Sequence, residues 1–198
     1  MKPEGKIMYR PLNSWHVNQE FGENTVCIDF ETRSKYKWCD GNNPPEGFRS
    51  IYGDKGHMGV DLRAGRWNPC YAAVMGKVVH IDTNRKSGFD VRIQSTVRDF
   101  TFTHIYEHLE MWNVKLGDEI KTGQLIGWVG STGYSTGPHL HFECRDSYGK
   151  SFDPIPFMYE EPATAVFKLN NAIAHLKQQI EVLKVGITGY KKSKLVIK

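Results

Sequence analysis

Two short stretches of the chain concentrate groups able to hold a metal ion. In His57-Met58-Gly59-Val60-Asp61 an imidazole and a carboxylate lie four positions apart. That spacing would put both on one face of a helix. The three glycines in and around it, Gly56, Gly59 and Gly65, argue against one, since each would cost about 1 kcal/mol relative to Ala. The better reading is a loop that delivers His57 to a strand carrying Asp61. In Gly137-Pro138-His139-Leu140-His141-Phe142-Glu143 two histidines alternate with Leu140 and Phe142. Residues i and i+2 of a strand share a face, roughly 6.5–7 Å apart. Two imidazoles cannot be hidden on an apolar face without polar partners, so Leu140 and Phe142 should pack on the opposite one. Two histidines and one aspartate form the three-ligand set of a catalytic zinc, which keeps a fourth position for water and polarises a carbonyl.

These residues need a scaffold that crosses itself, and residues 56–157 carry the strand signals to build it. Tyr71 to Ile81 reads as a strand pair or long strand around Gly76. Asp90 to Ser95 alternates in period two, Phe100 to Leu109 is aromatic and β-branched, and Gln124 to Val129 and His139 to Arg145 follow, bounded by glycines. Short strands with glycine turns and few helical windows predict a mainly β, mostly antiparallel domain. Residues 23–55 are polar, aromatic and turn-rich and read as an insertion decorating that core. The 198 residues suit one compact domain, 1–157, plus an appendage.

Composition narrows the classes further. None of the four cysteines forms a CxxC pair, so a zinc ribbon or a thioredoxin-like site has no support. Cys70 and Cys144 lie in apolar strand contexts, as buried free thiols do. Cys27 and Cys39 flank the polar insertion and could pair if the protein matures outside the cytosol. The net charge of +4 suits an anionic surface such as a cell wall and equally an ordinary soluble protein. No run of 18 apolar residues and no apolar h-region at the start is present.

Taken in order, His57-Met-Gly-Val-Asp61, Tyr106-Glu-His108-Leu109, Val114 through Gly127, Gly130-Ser-Thr-Gly133 and Gly137-Pro-His139-Leu-His141-Phe-Glu143 resemble the lysostaphin/LytM-type zinc endopeptidases over about residues 10–157. The resemblance implies a small antiparallel β-sheet domain with a groove walled by loops. It implies one Zn2+ held by His57, Asp61 and His141. His108 and His139 would stand beside the metal in acid–base chemistry and oxyanion stabilisation. The implied substrate is the peptide part of peptidoglycan, with no nucleic-acid partner. Such a protein acts at the wall or periplasm, and the start suggests a phage product, a virion component or a chain trimmed of its leader. Relatives that lose metal ligands act as silent regulatory modules, and a structural tail component is a third class. All five positions are present here, which favours hydrolysis.

Two features depart from that pattern. The insertion, with Tyr36, Trp38, Phe48 and Tyr52, should wall or partly cover the groove. His104 lies four residues before His108, so on a regular strand it would share a face with it and could line the groove, although a core or groove filler is a simpler reading than a chemical role. Farther on, Val166, Leu169, Ile173, Leu176, Ile180 and Leu183 form a heptad stripe in a helix that should start near Pro162–Thr164 and stop at Gly186 before a basic tail. Two and a half heptads are marginal for a free coiled coil. The stripe over 163–184 is therefore expected to pack back on its own domain or to serve an oligomer or assembly contact.

Overall fold

Alternation is what the strands share. Val60 and Leu62, Val91 and Ile93, and Leu140 and Phe142 are buried on one face, while the residues between them turn to the other. The computed structural model describes residues 5–14, 16–22 and 57–195. The inserted segment and the Cys27–Cys39 pairing lie outside the described residues. The strands are β1 (Met8–Arg10), β2 (Val17–Gln19), β3 (Val60–Arg63), β4 (Pro69–Tyr71), β5 (Gly76–Asn84), β6 (Gly88–Val97) and β7 (Phe100–Trp112). They continue as β8 (Glu119–Ile120), β9 (Leu125–Val129), β10 (His139–Asp146), β11 (Ser151–Phe152) and β12 (Met158–Pro162), followed by helix α1 (Ala163–Leu195). Among the described residues a ten-stranded sheet runs β2-β3-β10-β7-β6-β5-β8, with β11 on β10 and β9 bridging β7 to β4. Its pairings are antiparallel; β1 and β12 form a separate parallel pair. The mainly β, mostly antiparallel class read from the strand pattern is the class observed.

The apolar face packs Tyr106, Leu109, Ile126, Val129, Leu140, Phe142 and the free thiols of Cys70 and Cys144 into one core. Burial pushes the Cys70 thiol above the range in which it would ionise.

One expectation fails at β7. His104 and His108 do not share a face. Strand β7 pairs Tyr106 with Val91 and Leu109 with Phe89, so Glu107 and His108 together face the single residue Asp90. This is a β-bulge, and His108 carries the left-handed φ of 63° that closes it. The extra residue inverts the alternation. His104 and Tyr106 point into the core, and His108 points out with Glu107.

His104 is fully buried and its ring is satisfied at both nitrogens. Its Nδ1 accepts from the Tyr106 hydroxyl at 2.7 Å, and its Nε2 lies 2.8 Å from Ser95 Oγ, which donates to the Met75 carbonyl. The Tyr106 oxygen accepts in turn from the Ala73 amide at 2.8 Å. That pattern needs a neutral imidazole.

The helix also differs. It continues through Gly186 to Leu195, because glycine weakens a helix by about 1 kcal/mol but, unlike proline, keeps its place in the hydrogen-bond ladder. Among the described residues, only its first turns meet the sheet domain. Ala163 is buried, and every described side chain from Lys168 to Lys184 is exposed, so the stripe does not pack back on its own domain. No helix among the described residues is long and apolar enough to cross a membrane.

The buried imidazole has a consequence for stability. Desolvation lowers the His104 pKa from 6.5 to about 3. Below pH 6.5 the unfolded chain binds a proton there that the folded chain refuses, so stability falls as pH drops from about 6.5 towards 3. This residue alone contributes up to ~1.4 kcal/mol per pH unit. Urea midpoints measured at pH 7 and pH 5 should show the loss. A His104→Gln variant, whatever its stability at pH 7, should show a flatter pH dependence; an unchanged slope would exclude His104 as its source.

Candidate metal and proton-transfer site

The polar face of the sheet gathers the histidines. Asp61 on β3 lies directly opposite His141 on β10, and both turn away from the core because their neighbours Val60, Leu62, Leu140 and Phe142 are buried in it. His57 enters from the loop before β3. Its Nδ1 lies 3.1 Å from the Glu20 carbonyl at the end of β2. A carbonyl only accepts, so Nδ1 carries the hydrogen and Nε2 is left with a bare lone pair in the neutral ring.

Three donor atoms then converge. His57 Nε2 lies 2.9 Å from His141 Nδ1 and 3.2 Å from Asp61 Oδ1, and His141 Nδ1 lies 3.0 Å from the same oxygen. A tetrahedral ion with bonds of about 2.0–2.1 Å would set such atoms about 3.3 Å apart. Two imidazole nitrogens and one carboxylate oxygen at that separation fit a divalent cation.

The electrostatics agree. Burial by itself would raise the Asp61 pKa, but hydrogen bonds to His141 and His57 overcome it and hold the carboxyl well below its ordinary range. Burial would lower the His141 pKa, but the bond to Asp61 and the charges of Asp61, Glu107 and Glu143 raise it instead. The carboxylates around His141 thus favour positive charge at that ring.

His108 and His139 stand beside this triad. Their ring centroids are 4.8 Å apart, and His108 lies 5.9 Å from His141. His139 Nε2 is 3.6 Å from Asp61 Oδ2. Each has its Nδ1 tied to a carbonyl, His108 to Thr132 and His139 to Gly137, both at 2.8 Å. Like His57, each neutral ring therefore presents a bare Nε2. Burial, followed by the charges of His139 and His141, lowers the His108 pKa to about 4, so this ring is neutral around pH 7 and its Nε2 carries a lone pair. All five residues predicted for the site are brought together.

Residues 55–154 match Peptidase family M23. The chain belongs to this family. Lysostaphin of Staphylococcus simulans is 42% identical over 105 residues, 52% of this chain and 21% of that protein. The DD-carboxypeptidase/endopeptidase Mpg of Neisseria meningitidis serogroup B is 32% identical over 134 residues, 67% of this chain and 30% of the relative. Among solved structures, the catalytic domain of the antimicrobial peptidase lysostaphin from S. simulans superposes with a TM-score of 0.55 at 31% identity, covering 72% of this chain and 91% of that one. The chain spans between 21% and 30% of the length of these two curated relatives.

Some members of the site in this M23 chain carry no sequence signal. The anchors at Glu20, Thr132 and Gly137 are main-chain carbonyls, which any residue supplies. Ser135 lies 3.3 Å from His139 Nδ1 and donates to the Gly137 carbonyl at 2.7 Å. Glu143 is fully buried, gripped through both oxygens by Arg145 at 2.7 and 2.9 Å and bonded by Ser151.

Gly59 tests how closely β3 and β10 must approach. A Cβ at this position would fall 2.9 Å from His141 Cε1 and 2.5 Å from the Phe142 carbonyl oxygen. Gly59→Ala should displace the His141 ring and weaken metal affinity about tenfold or more, measured by competition with a chelator. Affinity equal to the parent chain would mean that this contact does not set the ring.

Proposed function

We propose that the chain is a zinc-dependent endopeptidase that hydrolyses peptide bonds of bacterial peptidoglycan and works at the cell wall. The observation that carries the reading is the convergence of two imidazole nitrogens and a carboxylate oxygen within 3.2 Å of one another, flanked by two further rings with bare Nε2 atoms. In this reading His57, Asp61 and His141 hold the zinc, and His108 and His139 move protons. Residues 1–157 form the hydrolytic unit, with 163–198 appended to it. Family membership and the named activities of lysostaphin and Mpg support the peptidoglycan substrate. The mild net positive charge suits an anionic wall.

The chain's own residues set out a course for the reaction. When bound, zinc supplies Lewis acidity toward a peptide carbonyl. One of the two free rings, His108 or His139, takes the proton of the attacking water at Nε2. Its carbonyl-fixed Nδ1–H keeps that lone pair aimed at the groove. The resulting imidazolium faces the developing oxyanion and stabilises it, and the added proton is available to the leaving amine. The Asp61 carboxylate, whose Oδ2 lies 3.6 Å from His139 Nε2, stands on the same side as the proton-accepting edges.

Purified protein should carry about one zinc per chain and release new amino termini from cell walls. Identifying those termini by mass spectrometry across walls of several chemotypes gives the bond cut. His141→Ala should lose both metal and hydrolysis. His108→Ala should retain metal while turnover falls by about 10²-fold or more. Full turnover in His108→Ala would remove that residue from the proton path. A chain that binds walls without cutting them would be a regulatory module instead.

A further inference from the structure

Helix α1 leaves the sheet domain with its apolar stripe uncovered. Its root is held firmly. Ala163 is buried, Thr164 Oγ1 donates to Asn13 Oδ1 at 2.7 Å, and Phe167 packs against Gly123, where a Cβ would collide with the Ala163 carbonyl and the Phe167 side chain. Beyond this root Leu169, Ile173, Leu176, Ile180 and Leu183 are 61, 40, 57, 50 and 65% exposed. A helix in water draws most of its stability from packing an apolar face, and a contiguous apolar surface of this kind marks an association site.

The residues along the stripe specify what covers it. Val166, Ile173 and Ile180 take the a positions and Leu169, Leu176 and Leu183 the d positions. β-Branched a with leucine d favours two parallel strands over three or four. The flanks agree with that orientation. Positions e carry Asn170, Lys177 and Lys184, and positions g carry Ala172 and Gln179. Parallel self-pairing sets g against e, so each lysine meets Ala or Gln. Antiparallel self-pairing would set e against e, lysine against lysine.

We propose that the chain pairs with a second copy of itself through a parallel two-stranded coiled coil over Val166–Lys184, which carries two sheet domains from one stalk. The proposal does not depend on the hydrolytic reading, because no residue of the stripe belongs to the metal and histidine site.

Light scattering on the full chain across the micromolar range tests it. The expected mass is twice that of one chain. Leu176→Asp changes a residue that is exposed in the single chain, so it should return the mass to one chain with zinc content unchanged. Gln179→Glu should tighten the pair roughly two- to five-fold, because the new carboxylate faces Lys184 of the other copy across the rim. A single-chain mass at every concentration overturns the proposal, as does a trimer, or a Leu176→Asp protein that still pairs. Weakening by Gln179→Glu overturns the parallel orientation. Loss of wall hydrolysis in the parent chain, with the paired mass intact, would count against the hydrolytic reading alone.

Discussion

The pairing of β3 with β10 is the constraint on which the rest of the site depends. Asp61 stands opposite His141 only in one register. A slip by one residue would turn every side chain of a strand to the other face. It would drive Asp61 or His141 into the core and expose Val60 and Leu62, or Leu140 and Phe142. Each such side chain is worth about 1.5–3 kcal/mol when buried. Losing a pair costs several kcal/mol before any charge is buried, a large share of the 5–15 kcal/mol that holds a whole domain together. The apolar face thus fixes where the polar face converges, and the candidate metal set inherits its geometry from hydrophobic packing.

The bulge at Glu107–His108 is the complementary device. A regular strand would have sent His108 inward with His104 and Tyr106. The added residue brings His108 to the side of His139 and leaves Leu109 to fill the core. The left-handed backbone at His108 is uncommon for a residue with a side chain. It is held by the His108 amide bonding to Ser87, by its carbonyl accepting from Gly130, and by its ring bonding to Thr132.

Period-two patterning was enough to read the central strands from the sequence, and the ordered motifs were enough to single out the five residues that the fold gathers. The loop delivery of His57 followed from its glycines. The bulge was not legible, because period counting assumes the regularity that a bulge breaks; the groove position considered for His104 failed there. The length of α1 was misread because Gly186 was given the force of a stop signal. The helix root on Gly123 and the burial of Glu143 depend on tertiary contacts with no local pattern. The three carbonyl anchors are invisible in principle, since main-chain acceptors leave no mark on residue identity.

Those anchors separate chemistry from composition. Because the proton-bearing edges of His57, His108 and His139 are held by peptide oxygens, the loop residues around them keep the rings in service through the path of the backbone and not through their own side chains. A neighbouring position can change its shape, charge or bulk without disturbing the tautomers, provided the chain still follows the same route. The surface around the histidines can therefore be recut while the five side chains beneath it keep their arrangement.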